Sequence, residues 1–139
     1  MNDGFEQISL KEGFMKHNGG VLFKTISKYE YEFKTTINAI HLNSAGITHG
    51  GFIAALVDAG AGTAAHRSAD QNPCVTISLE LKFISAIKLG QELYGKVKIQ
   101  KKTKSMVFLT CELSASNKIV ATASGVWKIL KLSGAGPGG

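Results

Sequence analysis

The chain has 139 residues, 44% of them hydrophobic and 19% charged, with a net charge of +6. That length allows one domain with a real core and is short for two, and the balance is that of a globular chain. No apolar run reaches the roughly 18–20 residues of a membrane span, and Met1-Asn2-Asp3-Gly4-Phe5-Glu6 lacks the basic start and apolar middle of a secretory signal, so a cytoplasmic protein is expected.

Residues 4–17 place Phe5, Ile8, Phe14 and Met15 at roughly helical spacing, which predicts a short helix or two before the breaker Asn18-Gly19-Gly20. Residues 21–27 are β-rich. Residues 29–38 then set Tyr29, Tyr31, Phe33, Thr35 and Ile37 against Glu30, Glu32, Lys34, Thr36 and Asn38, the period of two of a half-buried strand. Residues 39–48 show no period and read as a loop. From Gly51 to about Ser68 the chain is alanine-rich and apolar nearly all round, which predicts a buried helix. Gly60 and Gly62 cost helix propensity, so close packing against a sheet or a partner helix is expected there.

After the turn Asp70-Gln71-Asn72-Pro73, four strands are expected at 75–85, 91–101, 105–114 and 119–132. In the first, Val75, Ile77, Leu79, Leu81 and Phe83 alternate against Thr76, Ser78, Glu80 and Lys82. Short turns join these strands, and one of them is the basic tip Lys101-Lys102-Thr103-Lys104; runs of this kind make antiparallel sheets. The expected class is α+β: one domain over 1–132, with a curved antiparallel sheet of about five to six strands wrapped around one long helix. The glycine-rich 133–139 reads as a flexible tail. Cys74 and Cys111 lack metal-ligand spacing and read as reduced thiols, and no metal site is expected. The positive charge admits nucleic acid or a phosphorylated small molecule as a partner. The aromatic-plus-basic strand signature of an RNA-recognition domain is missing, which disfavours the first.

The informative segment runs from Asn43 through His49-Gly50-Gly51 to Asp58. A helix start presents unpaired backbone N–H groups and the positive end of the dipole, and glycine there lets a carbonyl approach closely. Asp58 lies among Ala54, Ala55, Leu56, Val57, Ala59 and Ala61. A carboxylate in such surroundings is costly unless paired or functional, and burial would raise its pKa and strengthen it as a base. The alternatives are a plain turn before a helix and a structural aspartate. For Asn43, Thr76 and His49 they are an Asx turn, an ordinary strand threonine and a helix cap. His17, His41 and His66 read as surface or satisfied histidines.

The spacing of Asn43, His49 and Asp58, with Thr76 opening the next strand, resembles the hotdog-fold thioesterases of the phenylacetate-degradation (PaaI-like) branch. The Lys88-Leu89-Gly90 turn and the lysine-rich hairpin resemble it too, over roughly residues 20–130. The resemblance implies an acyl-CoA thioesterase in which Gly50 N–H is the oxyanion donor and Asp58 the general base or nucleophile. It also implies that Thr76 orients water, Asn43 polarises the thioester and His49 caps the helix or touches it. Gly51, Phe83, Lys104 and Ser105 would contact substrate. Coenzyme A is then part of the substrate, and no further cofactor is implied.

Gly50 and Asp58 are eight residues apart, about 12 Å along a helix. One thioester cannot meet both on a single helix, so a homodimer with antiparallel central helices and two shared sites is expected, with a dimer of dimers as the larger assembly. Alternatives on the same fold are a non-catalytic acyl-CoA binder and a dehydratase or hydratase, whose proline-bearing signatures are absent.

Overall fold

The computed structural model describes residues 3–131. The expected tail at 133–139 lies outside the described residues. In chain order the elements are β1 (Glu6–Gln7), α1 (Phe14–His17), β2 (Leu22–Thr25), β3 (Glu30–Thr36), a 3-10 turn (Ala39–His41), α2 (Gly50–Ser68), β4 (Cys74–Phe83), β5 (Glu92–Lys102), β6 (Met106–Ala115) and β7 (Lys118–Ile129). The strands form one antiparallel sheet in the order β1-β2-β3-β5-β6-β7-β4.

Alternation decides which face of this sheet meets α2. Tyr31, Phe33 and Thr35 of β3 are buried, as are Leu93, Val97 and Ile99 of β5 and Val107, Leu109, Cys111 and Leu113 of β6. The opposite faces of these strands carry Glu32, Lys34, Lys96, Lys98, Thr110 and Glu112. The helix lays Phe52, Ile53, Leu56, Val57, Gly60, Ala61, Ala64 and Ala65 into the concave side. This is the hotdog architecture, a curved and unclosed sheet around one long helix. Among the described helices none is long and apolar enough to cross a membrane.

Four expectations change. The sheet has seven strands rather than five or six. The N-terminal segment holds one short helix, α1, as expected, but Phe5 and Ile8 lie beside a two-residue strand, β1, instead of in a second helix. Gln7 pairs with Leu22, Ile8 N–H reaches Val21 O, and the Gln7 side chain accepts from Val21 N–H, so the open edge of β2 outcompetes local helix propensity. The third change is in α2, which is not buried all round: Ala54, Ala55, Ala59 and Gly62 are half-buried and Asp58 is exposed.

The fourth concerns β4. Its register against β7 shifts between Thr76 and Ser78, so Thr76 lies opposite Trp127 while Ser78 lies opposite Val126. Ile77 is the extra residue of a β-bulge, and a bulge reverses the phase of alternation. Leu79, Leu81 and Phe83 share a face, as their spacing predicts. Before the bulge it is Cys74 and Thr76, not Val75 and Ile77, that share the face of Ile129 and Trp127. Val75 and Ile77 are left about half exposed, at 45% and 52%.

The two thiols are free. Burial pushes Cys111 up to about 12, which makes it inert, and raises Cys74, with the Lys102 charge opposing the rise. His41 is buried and fully used: Nδ1 accepts from Asn38 N–H at 2.9 Å, and Nε2 lies 2.6 Å from Asn18 O. Its ring stacks on Phe52 at 3.9 Å between centroids.

Candidate functional site

Helix α2 begins where the sequence places its glycines. His49 is the N-cap, and its Nδ1 accepts from Gly51 N–H at 2.8 Å. A cap satisfies one of the amide donors that every helix start leaves over. With Gly51 so engaged, the first amide, Gly50 N–H, has no acceptor among the described residues. It borders a hollow of about 350 Å³ whose walls include Asn43, Thr48, Ile53, Phe83 and Ile87.

Asn43 holds this hollow's loop. Its Oδ1 accepts from Ala45 N–H at 2.9 Å and Ile47 N–H at 3.3 Å, which turns the loop and leaves its Nδ2 amide without a bond among the described residues. Phe83 is 57% exposed, and its ring tip would stand 3.4 Å from a Cβ placed on Gly50. It therefore forms a wall beside the free amide.

Asp58 lies two turns further along α2, on the open face. The bulge in β4 brings Thr76 to it, and the Thr76 hydroxyl donates to Asp58 Oδ1 at 2.6 Å. The expectation of a carboxylate enclosed by its own chain is not met. What holds Asp58 is this bond, and its surroundings are a second hollow of about 360 Å³ lined also by Gly62, Thr63, His66, Cys74 and Trp127.

The expected residues thus fall into two groups. Gly50, Asn43 and Phe83 meet at the start of α2 and the end of β4. Asp58 and Thr76 meet at the start of β4, roughly 12 Å along the helix from Gly50. Along β4, Thr76 and Phe83 are seven residues apart, which is about 20 Å of strand. Lys104 and Ser105 belong to the Asp58 end: Met106 and Val75 both lie opposite Lys128. The hairpin turn is built by Thr103 Oγ1, which accepts from Ser105 and Met106 N–H, and by Ser105 O, which accepts from Ile129 N–H. Sequence reading alone does not single out Trp127 or Thr63, takes Gly62 only as a packing glycine and reads His66 as a surface or satisfied histidine. The one available signal is that Trp127 is the single tryptophan of the chain.

Sequence comparison matches residues 45–122 to the profile of the thioesterase superfamily. A Pseudomonas aeruginosa protein whose name assigns it, provisionally, to the esterases is 33% identical over 128 residues, covering 91% of this chain and 96% of that protein. Among solved structures, zebrafish thioesterase superfamily member 2 superposes with a TM-score of 0.79 at 21% identity, covering 87% of this chain and 89% of the other. A mutant of the phenylacetic acid degradation protein PaaI from Thermus thermophilus gives 0.77 at 22% identity, covering 86% and 100%.

Proposed function

The chain belongs to the thioesterase superfamily, and from that premise we propose that it hydrolyses an acyl-CoA to the free acid and coenzyme A. The observation that carries this is the Thr76–Asp58 hydrogen bond on the open face of α2, combined with an uncommitted Gly50 amide at the helix start. In the proposed reaction Asp58 takes a proton from water while the water oxygen bonds to the thioester carbon. The carbonyl oxygen gains charge beside Gly50 N–H, and an amide fixed in advance is an effective stabiliser there. The C–S bond then breaks, and the proton held by Asp58 passes to the departing thiolate. Thr76 engages its O–H in the hydrogen bond to Asp58, so its lone pairs are free to accept from the same water. The Asn43 Nδ2 amide is a second donor toward the carbonyl, while His49 acts through the cap.

The separation of the two groups supports a site made by two chains. The open α2 face of half-buried small residues and the β4 edge, with Val75 and Ile77 half exposed, are contiguous, and β4 has no second strand partner among the described residues. An open edge of ten residues invites pairing with another edge. A two-fold dimer joining these faces would set Gly50 of one chain near Asp58 of its partner. Lys104 and Ser105 are then placed to meet the nucleotide part of coenzyme A.

Thiol release from short, aryl and long acyl-CoAs tests the activity. Absence of release from all of them removes the hydrolase reading and leaves acyl-CoA binding. Thr76→Val keeps the strand and deletes the hydroxyl, so kcat is expected to fall about 10- to 100-fold, the worth of one bond to a charged group.

Complementation tests the shared site. Gly50→Pro removes the amide at a position where proline fits a helix start. Asp58→Asn removes the base. Each alone is expected to be inactive, and mixed subunits are expected to regain about a quarter of the activity, because half the dimers are hybrid and each hybrid has one intact site. No regain after verified subunit exchange would place both groups in one chain.

A further inference from the structure

Trp127 is 1% exposed, and no acceptor among the described residues bonds its indole N–H. A sealed, unpaired donor of this kind costs stability. Yet no sealed side-chain nitrogen or oxygen among the described residues lacks a partner. The Trp127 N–H therefore opens on free space while the rest of the ring is packed away. That space is the hollow that holds Asp58 and Thr76. Trp127 lies directly opposite Thr76 across the β4–β7 ladder. A Cβ placed on Gly62 would stand 3.4 Å from Nε1, so the absence of a side chain at Gly62 keeps the N–H uncovered. Gly62 is one helical turn beyond Asp58, about 6 Å along the axis.

Beside the apolar Ala59 and Pro73, the hollow has further polar walls in Thr63 and His66. Thr63 Oγ1 donates to Ala59 O at 2.8 Å and keeps only lone pairs to offer. His66 Nδ1 lies 2.8 Å from Asn72 O, a carbonyl that can only accept, so the proton sits on Nδ1. A purely hydrocarbon chain placed here would bury the Trp127 donor without offering it an acceptor.

We propose that Trp127 Nε1–H is a specificity donor, bonding an oxygen carried on the acyl group of the substrate about one helical turn from the scissile thioester. This rests on the thioesterase reading of the Asp58 hollow and deepens it: the preferred substrates are acyl-CoAs whose acyl part bears a hydroxyl or oxo oxygen. An indole N–H donates and cannot accept, so the recognised atom is an acceptor.

The test uses two matched pairs, butanoyl-CoA with 3-hydroxybutanoyl-CoA and hexanoyl-CoA with 5-oxohexanoyl-CoA. In the wild type, kcat/KM is expected to favour the oxygenated member of at least one pair by about tenfold or more, since a site built to bond a polar group rejects the analogue that lacks it. Trp127→Phe keeps an aromatic ring and deletes the donor. It is expected to bring that ratio to within about twofold of unity, the oxygenated ester losing more than its hydrocarbon partner. Gly62→Ala guards against a folding defect in Trp127→Phe, because alanine improves the helix while its methyl covers Nε1. It is expected to lower the same ratio. A wild-type ratio near unity in both pairs, or an unchanged ratio in both variants, overturns the proposal.

Fluorescence separates this outcome from failure of the hydrolase reading. Trp127 is the only tryptophan, so its emission in Asp58→Asn reports binding beside the indole without turnover. The oxygenated ester is expected to shift that emission more than its hydrocarbon partner, and Gly62→Ala in the same background is expected to abolish the difference. Equal shifts from both esters would sink the proposal even if hydrolysis is observed. A selective shift with no thiol release would uphold the donor and remove only the hydrolase.

Discussion

Asp58→Asn is expected to lower thiol release on the order of 10³-fold, within the range that a positioned base contributes. The asparagine side chain has the same size and can still accept from Thr76, so the 2.6 Å contact that seats residue 58 survives in kind. What it loses is the ability to take a proton from water. Asp58 is exposed on the open face of α2, and substitutions at such positions usually change stability by less than about 0.5 kcal/mol. Circular dichroism and thermal melting should therefore match the wild type while kcat collapses. A loss of tenfold or less in an otherwise intact enzyme would remove Asp58 from the chemistry. Single turnover in oxygen-18 water separates the two routes open to the carboxylate: label going straight to the product acid supports the base, and label first entering Asp58 indicates an anhydride.

Gly95→Ala is expected to be the most destabilising small substitution in the sheet. The Phe33 ring is fully buried between α2 and β5, lying across from Gly95 in the β3–β5 ladder. A Cβ on Gly95 would come within 2.3 Å of the ring, and one on Gly60 within 2.4 Å. Neither fits without moving the ring, and overpacking of this kind costs about 3 kcal/mol when the core cannot give way. For a chain of this length that corresponds to a fall of about 10 °C in Tm. Phe33→Leu should restore part of the loss in Gly95→Ala while costing stability on its own, and differential scanning calorimetry on the three variants measures the coupling. Gly62→Ala is the contrast: it faces the open hollow and should not lower Tm. If Gly95→Ala melts with the wild type, Phe33 does not fill the space between helix and sheet. The same packing has a functional consequence. It fixes the height of α2 above the sheet, and so the distance at which Thr76 meets Asp58.

The class of fold was legible because its signals are local and repetitive. The 29–38 alternation gives β3 and the buried set Tyr31, Phe33, Thr35 and Ile37. The alanine-rich run gives α2 to within a residue, and the turns between 88 and 118 separate the last strands. Gly60 was expected to mark a close approach, and Phe33 is what it approaches. The N-terminal segment was less legible, since a two-residue strand exists only because β2 offers it an edge.

Chain spacing alone determined that Gly50 and Asp58 stand too far apart on one helix for a single thioester, which follows from sequence separation and helical rise. That Asn43, His49 and Asp58 belong together was implied by the resemblance. Only the tertiary structure decided what holds each of them. The bulge at Ile77 turns Thr76 toward Asp58, and a bulge is a relation between two strands that no single strand's pattern contains. The cap on Gly51 takes His49 into the framework and leaves Gly50 as the free amide. Asp58 proved to be exposed rather than enclosed, because a run of small residues reads the same whether it faces its own core or an open face. The Trp127 N–H shows the same limit: whether it is sealed or open depends on Gly62, which is 65 positions away in the chain and adjacent only once helix and sheet have packed.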